Sequence, residues 1–218
     1  PEWPGSPAFI EQCVAGGVTV SIGHTAATPE QVREAVAAGA SMSTHLGNGS
    51  HLMMARHPNY VLEQMAEDRL AATFIVDGFH LPDSFLKVAL RAKGKNALLV
   101  SDAVYLAGSP PGTYDTHIGG KVVLTPAGKL HLEGNPKLMA GSVGSLLKGV
   151  EHLASAGLCE WAEAWEMAST RPATRMDLAA GKGLVRGAPA DVVELSREKG
   201  RIELIRTWKS GKKVWEKF

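Results

Sequence analysis

The run Val18-Thr19-Val20-Ser21-Ile22-Gly23-His24-Thr25 is apolar and β-branched until a glycine and a histidine close it. Such residues favour strands, and a short apolar run bounded by glycine is what a strand covered on both faces looks like. The unit returns along the chain as Ser41-Met42-Ser43-Thr44-His45, as Ala72-Thr73-Phe74-Ile75-Val76-Asp77-Gly78-Phe79-His80 and as Ala97-Leu98-Leu99-Val100-Ser101-Asp102. Each copy ends on a polar side chain before a helical stretch. Parallel strands that deliver histidine or aspartate at their carboxyl ends are the pattern of a (β/α)8 TIM-like barrel. The expected fold class is therefore α/β, with part of such a barrel over residues 1–180 and a small C-terminal β segment over 181–218.

The connecting stretches agree with this. Phe9, Ile10, Cys13 and Val14 mark one apolar helical face, which Gly16-Gly17 terminates. Thr28-Pro29-Glu30-Gln31 has a capping threonine, a proline at the first helical position and a glutamine that closes a capping box. The helix that follows buries Val32, Ala35 and Val36 and ends near Gly39. Between His45 and the Ala72 strand runs a long connection, with a tip at His51–Asn59 and a short helix carrying Val61, Leu62 and Met65. Loops of that length on a barrel are more often functional than idle. Leu81-Pro82-Asp83 opens a helix that ends around Lys93-Gly94. Pro110 and Pro111 make residues 107–116 a loop, and residues near 113–133 read as a β-hairpin insertion. Trp161 and Trp165 share one face of a helix over about 160–168. Four strands are clear, residues 165–170 offer a weak fifth, and a barrel needs eight, so an N-terminal companion segment is expected.

Composition narrows the class further. With 218 residues, 44% hydrophobic and 21% charged, the chain is that of an ordinary globular protein. A net charge of +1 without a basic run argues against nucleic acid, and no apolar run is long enough to span a membrane. Cys13 and Cys159, the only cysteines, lack metal-like spacing and read as small buried hydrophobes in a reducing compartment rather than a disulfide framework, which makes the cytoplasm the expected location.

The strand ends gather imidazoles at 24 and 45 and a carboxylate at 102 around one barrel mouth. Imidazole nitrogen and carboxylate oxygen together suit zinc or iron. Glu2 would complete a ligand set if a strand precedes it, which leaves Asp102 free as a base. Against this stands the bland reading of each histidine as a hydrogen-bonded capping residue. His80, after Asp77-Gly78, fits a substrate-facing loop. His51, His57, His117, His131 and His152 read individually as surface or structural residues. Gly47-Asn48-Gly49 could offer backbone N–H groups to an anion beside Arg56, or form a plain turn.

Taken in order, Pro1-Glu2, Ile22-Gly23-His24-Thr25, Thr44-His45-Leu46-Gly47-Asn48, Asp77-Gly78-Phe79-His80, Ser101-Asp102-Ala103, Ala140-Gly141-Ser142 and Gly187-Ala188-Pro189-Ala190-Asp191 resemble the N-acetylglucosamine-6-phosphate deacetylases of the amidohydrolase superfamily. The resemblance implies the C-terminal portion of a metal-dependent hydrolase barrel that is normally nearly twice as long. It implies one divalent metal, zinc first and iron second, on Glu2, His24 and His45. It makes Asp102 the catalytic acid–base group and His80 the contact to the acetamido group. It puts Asn48, Gly49 and Arg56 at the phosphate of an amino-sugar phosphate, with the arginine commonly crossing from the partner of a homodimer.

One stretch departs from the family pattern. Where members have an aromatic residue followed by Asn-Ala, this chain has Gly47-Asn48-Gly49, so bulk beside the phosphate pocket is expected to be missing. The resemblance leaves two other readings beside it. One is an amidohydrolase for another N-acyl amine or a cyclic amide; the other is a non-catalytic remnant of the fold.

Overall fold

The computed structural model describes residues 1–117, 120–198 and 201–217. In chain order the barrel region contains α1 (Ser6–Ala15), β1 (Ser21–Ile22), α2 (Pro29–Ala37), β2 (Met42–Ser43), α3 (Tyr60–Ala66), β3 (Ala71–Ile75), α4 (Asp83–Lys93) and β4 (Ala97–Val100). The four strands form one parallel sheet in the order β1-β2-β3-β4, with Ser21 opposite Met42 at one side and Ile75 opposite Val100 at the other. Parallel neighbours require a crossover, and α2, α3 and α4 lie in these connections. All four strands run the same way, so the segments carrying His24, His45, His80 and Asp102 leave the sheet at one end.

Local chemistry explains the helix boundaries. The Thr28 hydroxyl accepts from the Gln31 N–H at 3.3 Å while Gln31 Oε1 accepts from the Thr28 N–H at 2.8 Å, the reciprocal pair that the sequence announces. Asn59 caps α3 by accepting from the Leu62 N–H at 2.9 Å. On α4 the buried residues are Leu86, Ala89 and Lys93, a stripe that faces the sheet.

After β4 come four antiparallel strands, β5 (Gly112–Thr116), β6 (Gly120–Leu124), β7 (Leu130–Leu132) and β8 (Asn135–Met139), paired in that order. Three helices follow, α5 (Leu146–Ser155), α6 (Trp161–Ala168) and α7 (Thr170–Arg175), and then β9 (Val192–Glu198), β10 (Arg201–Lys209) and β11 (Lys212–Glu216) in a second antiparallel sheet. The main core joins Phe74, Leu86 and Ala97 to Val150, Leu153, Ala164 and Met167, all fully buried. Trp161 and Trp165 pack on its margin, as their shared helix face predicts. The Arg197 guanidinium stacks over the Trp161 ring at 4.8 Å, and the Ile202 N–H donates to the Glu151 carboxylate, which attaches the last sheet to α5 and α6.

Four expectations change. The Val18–Thr25 run is only partly strand and partly buried: Ile22 is covered but Val18 is 56% exposed, because β1 pairs with β2 alone among the described residues. The expected hairpin is the middle of a four-stranded meander, and half of the expected loop at 107–116 is β5. Pro110 and Pro111 precede that strand, so they cost it no ladder hydrogen bond. Residues 165–170 are helical rather than a fifth strand, since the Trp161–Ala168 pattern has helical period and Ser169 only separates α6 from α7. Residues 183–191 are irregular, with Gly183 and Gly187 at φ +69° and +89°, and pairing begins at Val192.

Candidate functional site

Ile22 pairs with Ser43, so His24 and His45 stand at matching positions two residues beyond a paired couple. Their rings meet edge to face with centroids 4.6 Å apart and planes at 64°. His45 is buried, at φ +31°, and is held from the next strand, where Thr73 Oγ1 accepts from its N–H at 2.7 Å. Its Nδ1 is buried and has no hydrogen-bond partner among the described residues. Leaving such a nitrogen unsatisfied costs about 1–3 kcal/mol, which marks it as a point where a ligand would be welcome. The His24 ring fits because position 49 has no side chain: a β-carbon on Gly49 would stand 1.9 Å from His24 Cε1 and 2.1 Å from Nδ1.

Glu2 is bonded to the segment that follows His24. Its carboxylate accepts from the Thr25 hydroxyl at 2.5 Å and from the Ala26 N–H at 3.3 Å. The Thr25 hydroxyl holds this carboxyl well below the usual range, at about 2, with backbone donors helping against desolvation. The structure thus brings the two imidazoles together and leaves Glu2 beside them on Thr25. Among the described residues no three His, Cys, Asp or Glu side chains gather closely enough to hold an ion. In donor type the three still suit a divalent cation, and the unpartnered Nδ1 of His45 fits one.

His80 has a different partner. Asp77 Oδ2 lies 2.7 Å from His80 Nδ1, while Asp77 Oδ1 accepts from the N–H groups of Phe79 at 2.9 Å and His80 at 3.0 Å. Burial works against the Asp77 anion, but these bonds prevail and hold its carboxyl at about 2. Both side chains are nearly buried. A carboxylate on Nδ1 orients the ring and leaves Nε2 for other work. Asp77 is a site residue that the sequence reading passed over; its signal was the Asp-x-x-His spacing beyond β3.

Asn48 and Gly49 line a small cavity of about 20 Å³ together with His24, Thr25, Tyr60 and Gln64. The buried Asn48 Nδ2 has no partner there among the described residues. Arg56 is not part of that lining and sits in the exposed stretch 51–58. Asp102 is exposed, at φ +47°. The space at position 47 is not open: a β-carbon on Gly47 would meet Phe85 Cζ at 2.6 Å, so the ring from α4 occupies the bulk that the sequence appeared to lack. Neither Phe85 nor the clamp of Thr73 on His45 could be read from local sequence, because both come from other elements.

Comparison with known proteins follows the same line. No family model matches the chain. It is 34% identical over 194 residues to an N-acetylglucosamine-6-phosphate deacetylase of Lysinibacillus sphaericus, covering 88% of this chain and 49% of that protein. It superposes on the crystal structure of the N-acetyl-D-glucosamine-6-phosphate deacetylase from Mycobacterium smegmatis with a TM-score of 0.86 at 29% identity, over 99% of this chain and 56% of that one. An aspartate-to-alanine mutant of that enzyme in complex with N-acetyl-D-glucosamine-6-phosphate matches with a TM-score of 0.85 at 28% identity, over 98% and 56%. The chain spans about half the length of the curated relatives it matches. On sequence likeness and fold together, the chain belongs to the N-acetylglucosamine-6-phosphate deacetylase family of the amidohydrolase superfamily.

Proposed function

We propose that the complete protein hydrolyses the N-acetyl amide of N-acetylglucosamine 6-phosphate, giving glucosamine 6-phosphate and acetate. The observation that carries this reading is the His24–His45 pair at the carboxyl ends of two adjacent parallel strands, in a chain whose relatives carry that activity in their names. His24, His45 and Glu2 would hold one divalent ion, zinc or iron. Such an ion supplies a Lewis acid beside the scissile carbonyl and a water of lowered pKa. Asp102 accepts the proton of the attacking water and delivers it to the departing amine nitrogen. His80, oriented by Asp77, presents its outer nitrogen to the acetamido carbonyl. Asn48 and the backbone at Gly49 bind the sugar phosphate, and Arg56 adds a charge-assisted clamp.

Two wider features belong to the same proposal. The working barrel includes an N-terminal companion segment, which the exposed Val18 and the half-length match to relatives support. The protein acts as a homodimer, with Arg56 reaching the neighbouring site; Leu52 and Met53 beside it are 98% and 89% exposed, an apolar tip suited to a second copy. No helix among the described residues is long and apolar enough to cross a membrane, and a cytoplasmic location completes the reading.

The test is acetate release from N-acetylglucosamine 6-phosphate by the complete protein. Asp102→Asn is expected to lower kcat by at least a hundredfold with metal content retained, as loss of a general acid–base group does. Arg56→Ala is expected mainly to raise KM. Parent-like rates in both variants would remove the roles assigned here.

A further inference from the structure

The loop that carries His80 is held from behind by α5. A β-carbon on Gly144 would lie 3.3 Å from Asp77 Cβ, and one on Gly149 would lie 3.3 Å from the Val76 carbonyl oxygen, so the approach to α5 and its first turns rest on the end of β3. One turn further, His152 reaches the loop itself. A β-carbon on Gly78 would meet its Cε1 and Nδ1 at 3.5 Å, an ordinary contact distance, so the ring lies over Gly78. The same imidazole then bonds through Nε2 to Asp83 Oδ1 at 2.7 Å. Asp83 is the first residue of α4 and stands only three residues after His80.

The segment from 77 to 83 is therefore fixed at three points. Asp77 binds the His80 ring and two N–H groups at its start, the His152 ring covers Gly78, and Asp83 is tied to His152 at its end. Gly78 sits at φ +80°, where a side chain would be strained, and the ring of His152 lies on the side where that side chain would project.

We propose that His152 and Asp83 are positioning residues for His80, acting through the loop and not on the substrate. The inference rests on the role given to His80 above. His152 acts on the loop through Gly78 and Asp83, and so sets where the outer nitrogen of His80 points. Displacements of about 1 Å at a catalytic group cost as much as a hundredfold in rate, so a brace of this kind has kinetic consequences.

The experiment uses the complete protein labelled with ¹⁵N-histidine, with the His80 ring resonance assigned by its loss in His80→Asn. In His152→Ala the His80 ring N–H signal is expected to shift or broaden, and kcat to fall about tenfold with KM within about twofold. His152→Gln, whose amide reaches Asp83, restores both. If His152→Ala does not fold, Asp83→Ala at the exposed start of α4 is expected to give the same changes. An unmoved His80 signal with unchanged kcat overturns the proposal. So does equal loss of thermal stability in His152→Ala and His152→Gln with His80 undisturbed, which would make the pair a helix-docking contact only. If the parent releases no acetate, the function proposed above fails by itself, and the His80 resonance alone decides the positioning role.

Discussion

His24 can lean against His45 only because Gly49 has no side chain. Gly49 also sits at φ +60°, where a side chain costs about 1–2 kcal/mol. Gly49→Ala therefore carries two penalties, backbone strain and a methyl group in the space of the His24 ring. Urea unfolding should show a loss larger than that of backbone strain alone, about 1–2 kcal/mol, and competition with a chromogenic chelator should show zinc affinity falling at least tenfold. Unchanged affinity would mean that the His24 position is not what assembles the pair. At this scale the sequence was readable where a residue's position follows from its strand: His24 and His45 were placed by the register of β1 and β2. It was not readable where a side chain turns to a distant partner. Glu2 goes to Thr25, Thr73 reaches the backbone of His45, and Phe85 fills the space at Gly47, all across tertiary contacts that no local pattern encodes.

Among the elements, α4 shows what periodicity gives and withholds. The sequence places its start at Asp83 and its end near Lys93-Gly94, as observed, but not every apolar residue of this helix is covered: Val88 is 58% exposed. The buried stripe is Leu86, Ala89 and Lys93, and hydropathy alone would put the lysine outside. Lys93 is 5% exposed, and its ammonium donates to the carbonyls of Glu67 at 2.7 Å and Leu70 at 3.0 Å, tying the end of α4 to the turn before β3. Burial pushes the Lys93 ammonium down to about 8 from the usual 10.5, only partly offset by Asp68 and Glu67. The folded protein then releases this proton near pH 8 while the unfolded chain keeps it to about 10.5, so stability from this group rises with pH across that window. Relative to Lys93→Met, which has nothing to titrate there, the parent should gain about 3 kcal/mol in urea unfolding between those limits. Parallel pH profiles would show that the ammonium is not desolvated. The capping box of α2 was legible for the opposite reason, since Thr28 and Gln31 satisfy each other within one turn.

The molecule as a whole is a four-stranded parallel half of a barrel wall, with a meander after β4 and a separate antiparallel sheet near the C-terminus. Three of the four barrel strands were legible as apolar runs that end on a polar residue, and β2, in Ser41-Met42-Ser43-Thr44-His45, by its closing histidine. The extent of the insertion was not, because β5 and β8 expose most of their residues and carry no apolar alternation. The last sheet was legible as strands, and its Ser210-Gly211 turn at φ +50° and +76° is the kind that right-handed strand twist favours. In the function proposed above, the mouth of this wall holds a divalent ion between His24 and His45. Metal content of the complete protein, by inductively coupled plasma mass spectrometry after gel filtration, tests it most directly. About one zinc or iron per chain is expected in the parent, and its loss in a His24→Asn, His45→Asn double variant that keeps the parent's fold by circular dichroism. A parent without bound metal, or a double variant that retains the same amount, would contradict it.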